Sequence, residues 1–271
     1  MMTKPEALAD VLSALDDITV AVSGGVDSVT LACFAHRLLG GERVYVVHAA
    51  SPAVPADAQP RIRQLATQEG WNLDVVGAGE FDDPNYKANP INRCFYCKTN
   101  LYRTLVGLRH GRTVVSGTNC DDLGDYRPGL IAARDFAVRH PFVEAGLCKQ
   151  DVRQLASDLS LPEFAALPAS PCLSSRVETG LAIDADQLAL IDAIETWLKQ
   201  RLSPETVRCR VRRRGIVIEL DAAAHAEARA LGQQSLLNAL RGEIGGLGGV
   251  AISWANYARG SAFVGDRGKE A

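Results

Sequence analysis

The amino-acid sequence predicts an α/β fold, a doubly wound parallel sheet followed by a smaller α+β module, and three observations carry that expectation. Short β-rich apolar runs alternate with helical patterns, as a parallel sheet covered on both faces requires. The sharpest strand-to-helix junction contains the glycine turn Ser23-Gly24-Gly25. Past a Pro- and Ala-rich stretch the pattern changes to helix, hairpin, helix and strand, so a large domain over 1–180 and a small one over 181–271 are expected.

Taken in order, the opening residues read as a short amphipathic helix carrying several acids. Ile18 to Val22 is a strand, and Val26 to Leu39 has helical periodicity. Val44 to His48 is a second strand, Pro60 to Gly70 a helix closed by glycine, and Leu73 to Val76 a third strand. An irregular segment follows, and Thr113 to Ser116 is a fourth strand running into Gly117-Thr118-Asn119-Cys120-Asp121-Asp122. Leu161 to Arg176 is too long and irregular for an ordinary connection and reads as a functional loop. Asp184 to Arg201 and Ala222 to Leu240 read as helices, Val207 to Val211 with Ile216 to Leu220 as a hairpin, and Val250 to Trp254 as the last strand.

Composition narrows the partner. With 29 basic and 32 acidic residues in 271, the net charge of −3 offers no field for nucleic acid or an anionic membrane, so a small-molecule substrate is expected. The N-terminal segment lacks the apolar run and cleavage site of a signal peptide, and no window approaches the roughly 20 apolar residues of a span. A cytoplasmic location is expected. Seven cysteines, an odd number in a chain too large to need disulfide staples, are expected to be thiols, ligands or nucleophiles.

A glycine-rich turn between strand and helix presents backbone N–H groups and the positive end of a helix dipole to an anion. Ser23, Gly24, Gly25, Asp27 and Ser28 form such a turn without the lysine of a Walker loop, and the acid Asp27 among phosphates suggests bridging Mg2+. The alternative is a tight turn with no ligand. Gly117, Thr118 and Asp122, with Asp121 and Asp125, form a second group at a strand end, suited to magnesium or ribose or else a solvated loop.

Cys94 and Cys97 form a Cys-x-x-Cys in an irregular stretch feeding a helix, and Cys172 in SPCLSSR is the best third ligand, with Arg176 beside it favouring thiolate. Three thiolates suggest an iron–sulfur cluster with one iron open. The competing reading makes Cys172 a nucleophile and the pair structural, and half a zinc site or a redox pair has the same spacing. Arg208, Arg210 and Arg212 alternate along one strand, so they face together toward a phosphate or carboxylate, or form a solvated basic edge or an oligomer contact; Glu219 on the partner strand can pair with one of them.

SGGVDS, RCFYCK, SGTNCDDLGDYRPG, PCLSSR, RCRVRR and YARGS together resemble, in order and spacing over nearly the whole chain, the LarE family of ATP-dependent sulfur transferases. The resemblance implies a PP-loop ATP pyrophosphatase fold of the adenine nucleotide alpha hydrolase-like type. It further implies adenylation of the carboxylates of a pyridinium dicarboxylate mononucleotide, release of AMP and pyrophosphate, and thiocarboxylate formation in nickel-pincer nucleotide biosynthesis. The same matching implies ATP at the glycine turn, Cys172 as sulfur carrier, and Cys94, Cys97 and Cys172 as ligands of a [4Fe–4S] cluster or, alternatively, Cys172 as a sacrificial sulfur donor. It implies substrate contacts by Arg208, Arg210 and Glu219, alongside Arg176, and a homo-oligomer. Other PP-loop activities, tRNA thiolation and amidotransferase-type synthesis among them, use similar loops, and a nucleotide-binding module without turnover would keep the loop but release no pyrophosphate.

Overall fold

A computed structural model describes residues 2–108, 111–124, 127–168 and 171–264. The chain divides into two compact units, Met1–Asp83 with Asn92–Ser170 and Pro84–Ile91 with Pro171–Ala271. The segment 171–180 thus groups with the second unit, ahead of the expected boundary at 180, because the residues around it bond there. Glu178 N donates to Val211 O at 2.9 Å and Gly180 N to Asn89 O at 2.9 Å.

The first unit is built on a four-stranded sheet of β1 (Ile18–Val22), β2 (Val44–Ala50), β3 (Asn72–Gly77) and β4 (Thr113–Val115) in the order β3-β2-β1-β4. All its pairings are parallel, with Val22 opposite His48 and Val20 opposite Val115. β1 has neighbours reached by opposite crossovers, and ligand crevices form at such a reversal, beyond the strands' carboxyl ends.

Alternation along the strands covers both faces. Ile18, Val20, Val22, Val44 and Val46 enter one core with Leu8, Leu12, Leu31, Ile62 and Val152, which come from the helices Lys4–Ser13, Val26–Leu39, Ala58–Glu69 and Lys149–Asp158. Val47 and Val114 enter the other with Tyr102, Leu105, Ala132 and Ala133 from helices Arg93–Leu108 and Gly129–Asp135. Each fully buried aliphatic side chain contributes roughly 1.5–3 kcal/mol. This is the doubly wound α/β arrangement expected from the pattern.

In the second unit β5 (Val207–Arg212) and β6 (Gly215–Leu220) form an antiparallel hairpin, and β7 (Ile252–Asn256) joins β6 in parallel. Gly215, at φ +127, closes the hairpin where an added Cβ would meet Ala251 O at 2.3 Å. Helix Ala185–Leu202 packs on β5, started by Asp184, whose carboxylate accepts from the backbone of Asp186 and Gln187 at 3.0 and 3.1 Å. The stretch 222–240, expected to be largely helical, is so as two helices, Ala222–Ala230 and Gln233–Glu243, separated at Gly232 with φ +86. No helix among the described residues is long and apolar enough to cross a membrane.

Candidate functional site

The loop after β1 is organised by its two serines. Ser28 Oγ accepts from Ser23 N at 3.0 Å, donates to Gly25 O at 3.2 Å, and lies 3.1 Å from Ser23 Oγ. Gly24 has φ +83, and a Cβ there would lie 3.2 Å from Ile62 Cδ1 and 3.3 Å from Ala58 Cβ. The turn is therefore closed against helix Ala58–Glu69 on one side, and Gly25 caps helix Val26–Leu39 with no side-chain capping hydrogen bond. Those amides and the helix dipole are what an anion needs.

The loop after β4 packs directly on this turn. A Cβ on Gly117 would lie 2.7 Å from both Asp27 C and Ser28 N. Only glycine lets the two strand ends approach so closely. Gly117→Ala is expected to lower the stability of the fold by about 1–3 kcal/mol, because backbone rather than a flexible side chain must yield. A thermal melt checks this, and an unchanged midpoint would contradict the packing. Thr118 Oγ1 lies 3.1 Å from Ser116 Oγ, which also meets His140 Nδ1 at 2.8 Å. Burial lowers the pKa of His140, as it does that of His48, whose Nδ1 meets Val22 O at 2.9 Å.

Asp27 is the electrostatic centre. Its Oδ1 accepts from Asn119 Nδ2 at 3.1 Å, and its Oδ2 from Lys149 Nζ at 2.5 Å. Asn119 Oδ1 in turn accepts from Asp121 N at 3.0 Å, Asp122 Oδ2 from Asn119 N at 3.1 Å, and Asp121 Oδ2 from Lys149 N at 2.9 Å. Arg127 pairs with Asp122 at 2.7 Å. The acidic loop is thus a frame that holds Asn119 and the start of helix Lys149–Asp158 around Asp27. Asp125 lies outside the described residues. Lys149 was not visible in the sequence as a site residue. It opens an amphipathic helix behind the Cys148 cap, and nothing local ties it to a carboxylate 122 positions away.

Cys94 and Cys97 stand in the first two turns of helix Arg93–Leu108, not in the irregular stretch expected, because Asn92 O already accepts from Phe95 N at 2.8 Å and starts the helix. They are half-buried thiols one turn apart on one helix. Cys172 belongs to the second unit, exposed at the start of the turn Leu173–Arg176. Among the described residues no group of three or more His, Cys, Asp or Glu side chains is arranged as a metal site.

Within the second unit Arg176, 2% exposed, forms a two-pronged pair with Glu195, Nε and Nη2 each donating at 2.9 Å. Its Nη1 donates to Cys172 O at 3.1 Å, and also to Pro171 O, so the guanidinium holds the backbone beneath the exposed thiol. Glu195 also accepts from Cys209 N at 2.9 Å, and burial pushes the Cys209 thiol far up. Arg210, 3% exposed, donates to Glu219 at 2.9 Å and to Ser175 O at 3.0 Å, and Arg212 reaches Glu219 at 3.4 Å. Arg208 lies half-buried, its guanidinium 5.8 Å from the Tyr257 ring centre, and burial with the nearby Arg176 charge lowers its pKa. Arg176 and Arg210 therefore direct their donors into the protein, whereas Arg208 stays partly exposed.

No family model matches the sequence. A pyridinium-3,5-bisthiocarboxylic acid mononucleotide synthase of Lactiplantibacillus plantarum is 32% identical over 226 residues, covering 82% of this chain and 81% of that protein. An uncharacterized protein of Synechocystis is 38% identical over 80% of this chain and 81% of its own length. A glutamine-hydrolyzing GMP synthase component of Methanopyrus kandleri is 28% identical over 53% of this chain and 50% of its own. The parallel sheet with its glycine turn and acidic partner loop places the first unit among PP-loop proteins, and with the Lactiplantibacillus synthase alike across four fifths of both lengths, the chain belongs to the LarE family.

Proposed function

We propose that this protein is an ATP-dependent sulfur transferase that adenylates the carboxylates of a pyridinium dicarboxylate mononucleotide and converts them to thiocarboxylates, in nickel-pincer nucleotide biosynthesis. The observation that carries this reading is the glycine turn with Asp27 at its centre, in a chain 32% identical to a synthase of that bisthiocarboxylic acid mononucleotide. Ser23, Gly24, Gly25, Asp27 and Ser28 hold the polyphosphate, with Gly117, Thr118 and Asp122 walling the site. The Asp27 carboxylate suits Mg2+, which would neutralise the departing pyrophosphate.

A carboxylate is a poor electrophile. Attack of its oxygen on the α-phosphorus breaks the bond to the β-phosphate bridging oxygen, and pyrophosphate leaves toward the loop N–H groups and helix dipole. Sulfur attack on the acyl carbon then expels AMP. Arg208 takes the substrate phosphate, while Arg176, Arg210 and Glu219 hold the walls beside it. The chain acts as a homo-oligomer in this reading.

In this reading the soft thiolates of Cys94, Cys97 and Cys172 would be the ligands of a [4Fe–4S] cluster, which when bound would supply the transferable sulfide. Anaerobic reconstitution is expected to give about four irons per chain, and Cys94→Ala is expected to lose both iron and multiple turnover. Full activity of Cys94→Ala would instead favour the exposed Cys172 acting alone. There its Sγ forms the thioester, and cleavage of the Cβ–S bond leaves thiocarboxylate and dehydroalanine as the Cα proton passes to a base.

The function is tested by incubating the protein with ATP, a sulfur source and the dicarboxylate mononucleotide. The expected product carries sulfur in place of a carboxylate oxygen by mass spectrometry. Activity only with transfer RNA, or none with any acceptor, would overturn the assignment.

A further inference from the structure

Two thiols of the first unit have no part in the proposed chemistry, and the backbone sets them side by side. Cys120 follows Asn119 in the loop after β4, and Cys148 caps helix Lys149–Asp158 at its start. Cys120 N donates to Leu147 O at 2.9 Å, and further along both segments Lys149 N donates to Asp121 Oδ2 at 2.9 Å. Cys120 and Cys148 lie between those two bonds. Chain segments joined by peptide hydrogen bonds run roughly 5 Å apart, within the about 4.4–6.8 Å that a disulfide spans between Cα atoms.

The surroundings of the two side chains also coincide. Cys120 Sγ lies 4.0 Å from Val143 O. The Cys148 thiol donates to Asp151, whose Oδ2 also accepts from Cys148 N at 2.7 Å and Lys4 Nζ at 2.5 Å, and these donors, the thiol first, push the Asp151 carboxyl down to about 2. The pKa of Lys4 is raised, chiefly by Asp151 and to a smaller degree by both thiols, so one ammonium stands near both sulfurs. Both cysteines are free and half-buried, within reach of a small oxidant.

We propose that Cys120 and Cys148 are a reversible dithiol pair, whose disulfide disarms the nucleotide site by drawing the loop after β4 and the start of helix Lys149–Asp158 out of their bonded arrangement around Asp27. The effect on nucleotide rests on the ATP-dependent reading; the bond itself does not. The oxidant is a small disulfide such as glutathione disulfide. One thiolate of the pair attacks a sulfur of the oxidant and expels a thiolate, and the second protein thiolate attacks the resulting mixed disulfide and expels the other. Both protein thiols lose their protons, and two electrons pass to the oxidant, which departs as two thiols. The new S–S bond takes the Cys148 sulfur out of its capping box with Asp151. It also pulls on the chain between Asn119, which donates to Asp27 Oδ1 at 3.1 Å, and Asp121, which holds Lys149 N. Asp27 then loses its fixed orientation.

For the test, full-length protein is equilibrated in reduced or oxidised glutathione, free thiols are blocked with iodoacetamide, and peptides are mapped by mass spectrometry without reduction. Binding of α,β-methylene ATP with Mg2+ is measured by calorimetry on protein from the same two buffers. The oxidised wild type is expected to give a Cys120–Cys148 linked peptide and to bind the analogue about tenfold more weakly, with recovery in dithiothreitol. Cys120→Ser and Cys148→Ser are expected to bind as the reduced wild type does in both buffers, since serine keeps the side-chain size and caps a helix well. That result also separates the pair from oxidation at Cys94, Cys97 or Cys172. Either thiol still open to iodoacetamide in the oxidised buffer, carrying glutathione, or linked to another cysteine or a second chain overturns the pairing. A linked pair with unchanged analogue binding overturns the regulatory role. A reduced wild type that binds no analogue overturns the ATP-dependent reading instead, and the peptide map still decides the disulfide.

Discussion

Cys172→Ala is expected to reduce thiocarboxylate formation by about 10³-fold or more, the scale on which removal of a nucleophile acts, while adenylation and pyrophosphate release continue. The split follows from where the residue sits. Cys172 is an exposed thiol that opens the turn Leu173–Arg176 without capping it through its side chain, so its truncation disturbs no packing. The phosphate-binding turn and its Asp27 network use none of its atoms. Sulfur transfer and ATP cleavage should thus separate in one variant, with product followed by mass spectrometry and pyrophosphate by an enzymatic assay. Loss of both together would show that the thiol serves the nucleotide step, and persistence of both would remove Cys172 from the chemistry.

The largest stability effect is expected from Glu195→Ala. Arg176 and Glu195 are each about 2% exposed at the side chain and bonded in parallel at 2.9 Å, and Glu195 also accepts from the Cys209 amide. Removing the acid leaves an ionised guanidinium buried with only carbonyl and hydroxyl oxygens as partners, at a cost of about 3–5 kcal/mol. Denaturant unfolding should show this loss in the second unit's transition. The double replacement Arg176→Met with Glu195→Leu should be far less damaging, because a buried pair exchanged for apolar groups is often near neutral. Since Arg176 also holds the Cys172 carbonyl at 3.1 Å, residual Glu195→Ala protein is expected to transfer sulfur poorly even where it remains folded. A loss below about 1 kcal/mol would mean that the pair is not the internal brace described.

Local sequence was most informative where backbone chemistry is local. Ile18–Val22 and Val26–Leu39 lie where the apolar run and glycine turn predict them, since a β-branched run followed by a φ-positive glycine leaves the chain few alternatives. Strand ends drifted more: β7 sits two residues beyond its expected bounds, because pairing with β6 rather than residue preference sets its register. The break at Gly232 was hidden inside an Ala- and Leu-rich helical pattern. At the site, the loop residues were legible as a motif, but their electrostatic closure was not. Lys149 and Asn119 matter through contacts to Asp27 across 122 and 92 positions, and no periodicity encodes such a pairing. The arginine strand was legible as a cluster, yet alternation alone did not reveal that Arg210 turns inward to Glu219 and the Ser175 carbonyl.

The central claim is that the glycine turn near the start of the chain directs ATP toward cleavage between its α- and β-phosphates, so that a carboxylate acquires AMP before sulfur reaches it. Phosphorus NMR of the wild-type protein with MgATP and the dicarboxylate mononucleotide reads this directly. The expected spectrum gains AMP and pyrophosphate, and only when the carboxylate substrate is present. Formation of ADP and inorganic phosphate, or ATP left intact while thiocarboxylate accumulates, would contradict it.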